Sequence, residues 1–370
     1  MIYRTPTPLA ADEQALARIE ELRRGLRHRL HVPRQWHGTL RRVVQAAAVQ
    51  GSNSIEGYTT SVENAAAIID GESPDGPDED TRLAILGYQE AMTYALRVAS
   101  SGAPLNETLL KALHYMMLKH YLDKNPGEWR PGAVWVEDAE HNLVYEAPER
   151  RLVDGLVAEM LKQVVAREAP PIISAAMAHL NLTLIHPFSD GNGRMARCAQ
   201  SFVLATDGES HPWFASIEEH LGFNTAAYYD ALSAVAQGSW SPERSARPWV
   251  AFALDAHEQQ VQRHLRRIQA TESLWDACER LAAKHKLPGR TVGPMCDAAR
   301  GWRLHRSLYA KVVTWTTGDQ ISSAMATRDL SALVDAGLLH PVGEKRGRTY
   351  EPTSTLTALW QEVLASFRST

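Results

Sequence analysis

The sequence has 370 residues, of which 44% are hydrophobic and 22% charged, and its formal net charge is −4. These are ordinary globular values, they suggest two or three domains, and they give no whole-chain signature of nucleic-acid binding. Three cysteines without a CxxC pair are typical of reduced thiols in the cytosol. The N-terminus has no signal-peptide pattern, and no apolar run approaches the ~18 residues of a membrane span. We therefore expect a cytoplasmic protein without a membrane partner.

The first hundred residues are predicted to form helices. Leu and Ile recur at helical spacing in residues 10–32, and "TLRRVVQAAAVQGSNSIEG" (39–57) predicts a second helix with an Ala-rich face. Thr60 and Glu63 form a capping-box pattern that opens a third helix. Glu56 is unexpected, because it stands where the second helix ends and the helix dipole disfavours negative charge.

The middle of the chain is also predicted to be helical, with one interruption. Apolar spacing predicts helices at 81–99 and 105–123, the second N-capped by Asn106. Within residues 125–148, "AVWV" and "LVY" flank the polar tip "EDAEHN" and predict a β-hairpin. Further helices are predicted at 149–167, at 171–185, from about Gly193, and through "NTAAYYDALSAVAQG" and "RPWVAFALDAHEQQVQRHLRRIQA".

The segment "QISSAMATRDLSALVDAGLLHPVGEKRGRTYEPT" (320–353) predicts a helix, a short strand, a basic turn and a returning strand. It resembles a winged helix-turn-helix. The resemblance implies an exposed helix face that could enter a major groove and a basic wing that could hold phosphates. Such modules also mediate protein contacts, so a DNA partner and a protein partner both stay open. The residues concerned are Thr327, Arg328 and Asp329 on the helix and Lys345, Arg346 and Arg348 on the wing.

The segment "HPFSDGNGRMAR" (186–197) concentrates polar residues between two predicted helices. Gly191 and Gly193 allow backbone N–H groups to converge at a helix N-terminus, which predicts an anion site. Arg194 and Arg197 are three residues apart, so they share a helix face and can reach one polyanion.

Two further residues of the same segment carry chemistry. Asp190 is placed to hold a hard cation such as Mg²⁺ on phosphate oxygens. His186 can take a proton near neutral pH. A single histidine before proline is usually structural and a single GNG is only a turn, but so many polar groups on one loop are hard to explain by folding alone.

The segment resembles the Fic family signature HxFx(D/E)GNGRxxR at all eight fixed positions. The similarity runs from about residue 40 to 255 and includes a "pGxxR" turn in "NPGEWR" and a target-docking hairpin, the flap. It implies a mainly α fold: a helical Fic core with a β-hairpin flap, followed here by a small C-terminal winged helix-turn-helix domain. It also implies an enzyme that transfers AMP from ATP to a Ser, Thr or Tyr hydroxyl of a protein, releasing pyrophosphate.

The resemblance assigns roles by position. His186 would be the base, Phe188 would anchor the loop, and Asp190 would hold Mg²⁺. The flap residues Val134, Trp135 and Val136 would bind the target by β-augmentation. The nucleotide-contacting residues that it implies are Gly191, Asn192, Gly193, Arg194, Met195, Ala196, Arg197, Tyr228 and Tyr229.

The resemblance also accounts for the carboxylate at the helix end. "SNSIEG" (52–57) fits the family's inhibitory motif (S/T)xxxE(G/N), with Ser52, Glu56 and Gly57 in the fixed places. Glu56 would pair with Arg197 and so prevent it from holding the γ-phosphate. Two alternatives stay open: an enzyme that removes AMP from a modified protein, and a nucleotide-sensing DNA-binding regulator.

Four domains are predicted: an N-terminal helical region (1–100), a catalytic core (101–255), a helical linker (256–300) and a winged-helix-like domain (301–370). The expected partner is a protein that bears a hydroxyl side chain, and the chain itself qualifies. A homodimer is also left open.

Overall fold

A computed structural model describes residues 1–137, 140, 142–207, 212–344 and 347–367. Helices dominate these residues, and two two-stranded antiparallel sheets accompany them, so the predicted mainly α class is confirmed. The chain forms two compact units, residues 1–27 with 45–262 and residues 28–44 with 263–370. None of the described helices is both long and apolar enough to cross a membrane.

Three helices contribute residues to both units: α1 (Ala10–His31), α2 (His37–Ile55) and α11 (Arg247–Lys284). The other elements of the first unit are α3 (Val62–Ile69), α4 (Glu79–Ser100), α5 (Glu107–Leu118), β1 (Trp135–Glu137), β2 (Leu143–Glu146), α6 (Val153–Ala166), α7 (Pro171–Ile185), α8 (Asn192–Ala205), α9 (Glu218–Phe223) and α10 (Thr225–Ala236).

Helix α7 is the central helix of the first unit. Its sequence is apolar on nearly every face and almost all of its side chains are buried, as expected for a helix enclosed by others. It packs against α6 and α8, and α8 in turn packs against α4 and α5. The loop 186–191 joins the end of α7 to the start of α8, so the polar segment lies between two helices that pack against each other.

The predicted hairpin is confirmed. Strands β1 and β2 are antiparallel, with Trp135 opposite Glu146 and Val136 opposite Tyr145. The other edge of β2 is occupied, because Glu146 donates to the carbonyl of Gly238 and accepts from the N–H of Trp240. Residues 138, 139 and 141 of the predicted tip lie outside the described residues.

The predicted helix starts differ in accuracy. Asn106 caps α5 through its side chain, which accepts from the N–H of Leu109, as predicted. The predicted cap of α3 at Thr60 is wrong by one residue, because Ser61 has the extended backbone of an N-cap and accepts from Asn64. Helix α2 ends at Ile55, and Gly57 then turns the chain with a φ of 87°.

The second unit contains α12 (Val292–Ala299), α13 (Arg306–Thr317), α14 (Ser323–Asp335), β3 (Leu339–Val342), β4 (Thr349–Pro352) and α15 (Ser354–Ser366). The predicted helix, strand and returning strand of residues 320–353 are thus present. Lys345 and Arg346 of the predicted wing lie outside the described residues, and Arg348 is exposed. Assignment of this unit as a winged helix-turn-helix stays a prediction.

The prediction that Asp329 lies on the exposed face of α14 is wrong. Its side chain is buried and accepts two hydrogen bonds from Arg290, at 2.7 and 2.8 Å, and a third from the Tyr309 hydroxyl at 3.0 Å. Thr327 and Arg328 are exposed as predicted. A charged residue on a helix usually faces solvent, but this carboxylate can be buried because Arg290 and Tyr309 donate hydrogen bonds to it.

Candidate active site

The loop between α7 and α8 holds two left-handed residues. His186 caps the end of α7 with φ 52° and ψ 56°, a conformation uncommon for a non-glycine residue. Gly191 precedes α8 with φ 72°, and a Cβ there would lie 2.9 Å from Leu118 Cδ1, so another residue would strain the backbone and displace the Leu118 side chain. These two turns set the path of residues 187–190 between the helices.

Phe188 anchors this loop in the core. Its ring is fully buried, stacked on His114 with centroids 3.7 Å apart, and lies 4.7 Å from the Trp129 ring. The Asn192 side chain accepts from the N–H of Phe188 and donates to its carbonyl, both at 2.9 Å. The side-chain amide of Asn192 therefore stabilises the loop. The backbone N–H of Asn192 is then the group that could contact a phosphate.

His114 also stabilises the loop, and it was not among the site residues predicted from the sequence. Its Nδ1 accepts from the N–H of Gly127 at 2.8 Å, which leaves Nε2–H to donate to the carbonyl of Asp190 at 3.0 Å. Burial lowers the pKa of His114 to about 4, so the ring is neutral at pH 7. Its position on the apolar face of α5, with Leu110 and Leu113, is the one feature of the sequence that indicated its burial.

His186 is arranged to accept a proton. Its Nδ1 lies 3.2 Å from the carbonyl of Thr183, and donation to that oxygen leaves the lone pair of Nε2 free. Burial lowers the pKa of His186, and the positive charge of Arg130 lowers it further, against the raising effect of the Thr183 bond. The imidazole is therefore a neutral base at pH 7.

Arg194 and Arg197 lie in the first turns of α8 and are both 1% exposed. Among the described residues, nothing accepts a hydrogen bond from Nε and Nη1 of Arg194 or from Nη1 of Arg197. Buried cationic donors without acceptors are costly. These guanidinium groups lie next to the N–H groups at the N-terminus of α8, and together the two sets of donors indicate a site for an anion.

Arg197 is bound by the end of α2. Its Nη2 lies 2.6 Å from Oε1 of Glu56 and 3.0 Å from the carbonyl of Ser52, and its Nε lies 2.8 Å from Ser52 Oγ. Burial alone would lower the pKa of Arg197, but the Glu56 carboxylate holds it above the usual value. The ion pair joins residues 141 positions apart.

The Glu56 carboxylate also occupies space at the anion site. A Cβ on Gly193 would lie 2.5 Å from Glu56 Oε1 and 3.1 Å from Arg197 Nη1. The carboxylate thus rests on the backbone of the first turn of α8, where the helix dipole favours negative charge. The carboxylate is therefore an anion held between the guanidinium of Arg197 and the N-terminus of α8.

Tyr58, which the sequence arguments also missed, covers the other arginine. The Arg194 guanidinium carbon lies 5.3 Å from the centre of the Tyr58 ring, a cation–π distance. The Tyr58 side chain is also hydrogen-bonded to Tyr121, and the Tyr121 hydroxyl donates to Asp80 at 2.8 Å. Residues 52–58 therefore contact both arginines of the site.

Close backbone contacts place the end of α2. A Cβ on Gly51 would lie 2.5 Å from the carbonyl oxygen of Glu218, and one on Gly222 would lie 2.7 Å from Gly51 Cα. Tyr229, which is 46% exposed, donates to the carbonyl of Ile55 at 3.4 Å. Gly51 and Gly222 thus allow α2 to approach α9 closely enough for Glu56 to reach Arg197.

Three of the residues predicted to contact nucleotide are buried, as Arg194 and Arg197 are. Met195 and Ala196 are fully buried, and the N–H of Met195 donates to the carbonyl of Gly191. The Tyr228 hydroxyl lies 3.0 Å from Nε2 of the buried His179. Tyr228 also has a side-chain hydrogen bond with Arg197. The predicted nucleotide contacts of these three residues stay a prediction.

Asp190 lies at the mouth of the glycine turn and is half-buried. Its Oδ1 accepts from the N–H of Gly191 at 2.6 Å, and no described residue donates to Oδ2. No group of three or more potential metal ligands occurs among the described residues. A single carboxylate with a free oxygen suits Mg²⁺, which keeps several waters and is shared with substrate phosphates.

The hairpin presents an apolar surface. Trp135 is 57% exposed and Leu143 60%, and Val136 and Val144 are also exposed. Val134 precedes β1, and its carbonyl accepts from the N–H of Ala147. Because the loop at Gly238 occupies the outer edge of β2, β1 has the edge on which a further strand could pair.

Comparison with known proteins agrees with the resemblance. Residues 104–204 match the Fic/DOC family. The chain is 30% identical over 233 residues to the protein adenylyltransferase Fic of Aedes aegypti, covering 61% of this chain and 43% of that relative. It is 29% identical over 235 residues to the same-named protein of Culex quinquefasciatus, with the same two shares. The chain therefore spans less than half the length of these relatives.

Solved structures show the same fold. A Fic family protein from Desulfovibrio desulfuricans G20 superimposes with a TM-score of 0.60 at 21% identity, covering 95% of this chain and 99% of that one. Fic-1 of C. elegans (residues 134–508) superimposes with a TM-score of 0.53 at 22% identity, covering 69% and 72%. At these identities the likeness concerns the fold alone, and it confirms the predicted helical Fic fold with its hairpin.

Proposed function

We propose, from the premise that the chain carries a Fic domain at residues 104–204, that it transfers AMP from ATP to a hydroxyl of a protein. One observation carries this proposal. Two buried guanidinium groups with unsatisfied N–H donors lie beside a neutral histidine and a carboxylate on one loop. Such a site binds a polyphosphate and places a base next to it, as phosphoryl-group chemistry requires.

The chemical step uses His186 as the general base. Its Nε2 accepts the proton of the target hydroxyl while the hydroxyl oxygen bonds to the α-phosphorus. The bond between that phosphorus and the oxygen bridging the α- and β-phosphates breaks, and pyrophosphate leaves. His186 is suited to this because burial keeps it neutral and Nδ1 is engaged by Thr183.

The first turn of α8 holds the phosphates. The N–H groups of Asn192 and Gly193 and the guanidinium groups of Arg194 and Arg197 would bind their oxygens, so charge that develops in the transition state meets preorganised donors. Asp190 would hold Mg²⁺, which supplies charge neutralisation across the phosphate oxygens when bound.

The hairpin is the proposed docking surface for the target. An extended segment pairing with β1 would run past the end of α7, and its side chains would contact Trp135 and Val136. Main-chain pairing does not depend on the side chains of the target, so the expected target is any extended segment that bears Ser, Thr or Tyr.

We propose further that residues 52–58 keep this activity low. The Glu56 carboxylate occupies both Arg197 and the space above Gly193, so the terminal phosphates of ATP cannot reach their donors. Tyr58 covers Arg194 in the same state. ATP would then bind without its α-phosphate aligned with the target hydroxyl.

Tyr58→Ala should raise the affinity for ATP about three- to tenfold, because it removes a cation–π interaction that stabilises the inhibited state. AMP affinity should not change, because AMP lacks the β- and γ-phosphates that Arg194 would hold. Isothermal titration calorimetry in the presence of Mg²⁺ measures both. Tyr58→Phe keeps the ring over Arg194 and serves as the control, and equal changes for ATP and AMP would contradict this role.

Gly51→Ala should release the inhibitory segment without touching Glu56. The added Cβ overlaps the Glu218 carbonyl, and overpacking of this kind costs about 1–3 kcal/mol. Destabilising the inhibitory position of α2 by that free energy should raise AMP incorporation about tenfold. Gly25→Ala, where no atom lies within 4 Å, is the matched control. A folded Gly51→Ala protein that is labelled no more than the wild type would show that the close contact of α2 with α9 is not needed for inhibition.

The proposed function is tested with two labelled nucleotides. ATP carrying ³²P at the α-phosphate should label protein in a matched lysate, whereas ATP carrying it at the γ-phosphate should not. Label from the γ-phosphate would indicate a kinase instead. Absence of label from either nucleotide, in both the wild type and Glu56→Gly, would refute the transferase proposal.

A further inference from the structure

Arg130 lies in the turn between α5 and the hairpin, and its side chain is fully buried. Its Nε donates to the carbonyl of His186 at 2.9 Å. Its two terminal nitrogens donate to the carbonyls of Gly132 and Pro148. Its backbone N–H donates to the carbonyl of Pro187 at 2.8 Å. One residue thus joins three separate parts of the chain.

The hydrogen bonds of Arg130 fall on two functional elements. Gly132 precedes β1 by three residues and Pro148 follows β2 by two, so these carbonyls are at the two ends of the hairpin. The third carbonyl belongs to His186, whose backbone is held in the left-handed region. Among the described residues, all the acceptors of Arg130 are backbone oxygens, and no carboxylate pairs with it.

A buried cation without a carboxylate is a costly means of packing a turn. An apolar side chain of similar volume would fill the space at lower cost. The guanidinium differs in its planar fork, which donates in several fixed directions at once and stays protonated. The ammonium of lysine keeps the charge but is a single point that cannot reach three carbonyls on three segments.

We propose that Arg130 is a positioning residue that locks the docking hairpin to the backbone of the general base. It thereby sets the distance between the hydroxyl of a target paired with β1 and Nε2 of His186. This inference rests on the proposed AMP transfer. It differs from the anchoring of the loop by Phe188 and His114, which involves the core but not the hairpin.

The same residue acts on the base electrostatically. After burial, the positive charge of Arg130 is one of the groups that lower the pKa of His186. The other charges that act on His186 are the carboxylates of Glu56 and Asp190, which raise its pKa. In the Glu56→Gly background only Asp190 of these two carboxylates remains. Because the Arg130 charge lowers the pKa of His186, loss of that charge should raise it.

The test uses the 370-residue chain carrying Glu56→Gly, with Arg130→Lys and Arg130→Met added separately. We expect kcat for a protein target to fall about 10- to 100-fold in both, because displacement of reacting groups by about 1 Å costs up to that factor. The KM for ATP should stay within about twofold, since the phosphate site is untouched. Arg151→Met, at an exposed arginine near the end of the hairpin, should change neither.

The pH profile of kcat/KM separates positioning from general loss of structure. The base must be unprotonated, so activity falls on the acid side through the pKa of His186. That limb should move to higher pH in Arg130→Met and stay in place in Arg130→Lys, which keeps the charge. Should Arg130→Met not fold, the separation of kcat from the KM for ATP in Arg130→Lys decides.

Two results would overturn the inference while leaving the proposed function intact. One is that Glu56→Gly transfers AMP and both Arg130 variants match it in kcat and pH profile. The other is that kcat, ATP affinity and thermal stability fall together in Arg130→Lys. If Glu56→Gly itself transfers no AMP, the proposed function fails first, so the two failures are distinguishable.

Discussion

Replacing Glu56 with glycine should raise AMP incorporation about 100-fold, the change expected when a largely inhibited population becomes largely competent. The wild-type carboxylate holds Arg197 Nη2 at 2.6 Å and rests against Gly193. Its removal frees the guanidinium for a phosphate and clears the space above the first turn of α8. Incorporation is measured as ³²P from α-labelled ATP on the purified chain and on lysate proteins.

The same substitution should destabilise the chain when nucleotide is absent. Removing one partner of a buried pair costs about 3–5 kcal/mol, reduced here because the Glu56 side chain is 24% exposed. Saturating ATP should restore part of that stability, because it supplies a new anion to Arg197. Thermal unfolding with and without ATP measures both effects.

Glu56→Gln is the matched variant for this prediction. It keeps the size of the side chain and loses the charge, so labelling should rise less than in Glu56→Gly. Equal labelling in the wild type and both variants would show that the ion pair does not limit transfer. The ion pair would then have a structural role only.

Replacing His186 with alanine should lower AMP transfer by about 10²- to 10⁴-fold, the usual contribution of a general base. The experiment is best done in the Glu56→Gly background, where the starting rate is high. ATP affinity should be retained, because the arginines and the α8 N-terminus remain. His285→Ala, at an exposed histidine of the second unit, is the control.

The pH dependence offers a second check on His186. Burial, with the charge of Arg130, lowers the pKa of His186 below its ordinary value of 6.5. Only the unprotonated ring accepts a proton, so a lowered pKa extends activity to more acidic conditions. The acid limb of kcat/KM should have its midpoint below pH 6.5. A retained rate in His186→Ala, or a midpoint well above that value, would assign the base to another group.

The local part of the site was predictable from the sequence because its residues are neighbours in the chain. The glycines, arginines, Asp190 and His186 fall within twelve positions, and a loop opening a helix brings them together under almost any packing. The burial of Phe188 was predictable for the same reason, because Phe188 lies in the same short loop. The exposed face of α14 was predicted less well, because the ion pair of Asp329 with Arg290 joins two segments whose proximity no local pattern indicates.

The sequence by itself determined the helical class, the hairpin, the anion-binding loop and, through a family resemblance, the partner of Glu56. Only the tertiary structure decided that Gly51 and Gly222 bring α2 and α9 into close contact. It also decided that Tyr58 covers Arg194 and that Arg130 joins the hairpin to His186. The physical reason is that hydrophobic periodicity specifies which side of a helix is buried, whereas a hydrogen bond to a distant carbonyl depends on how separate elements pack.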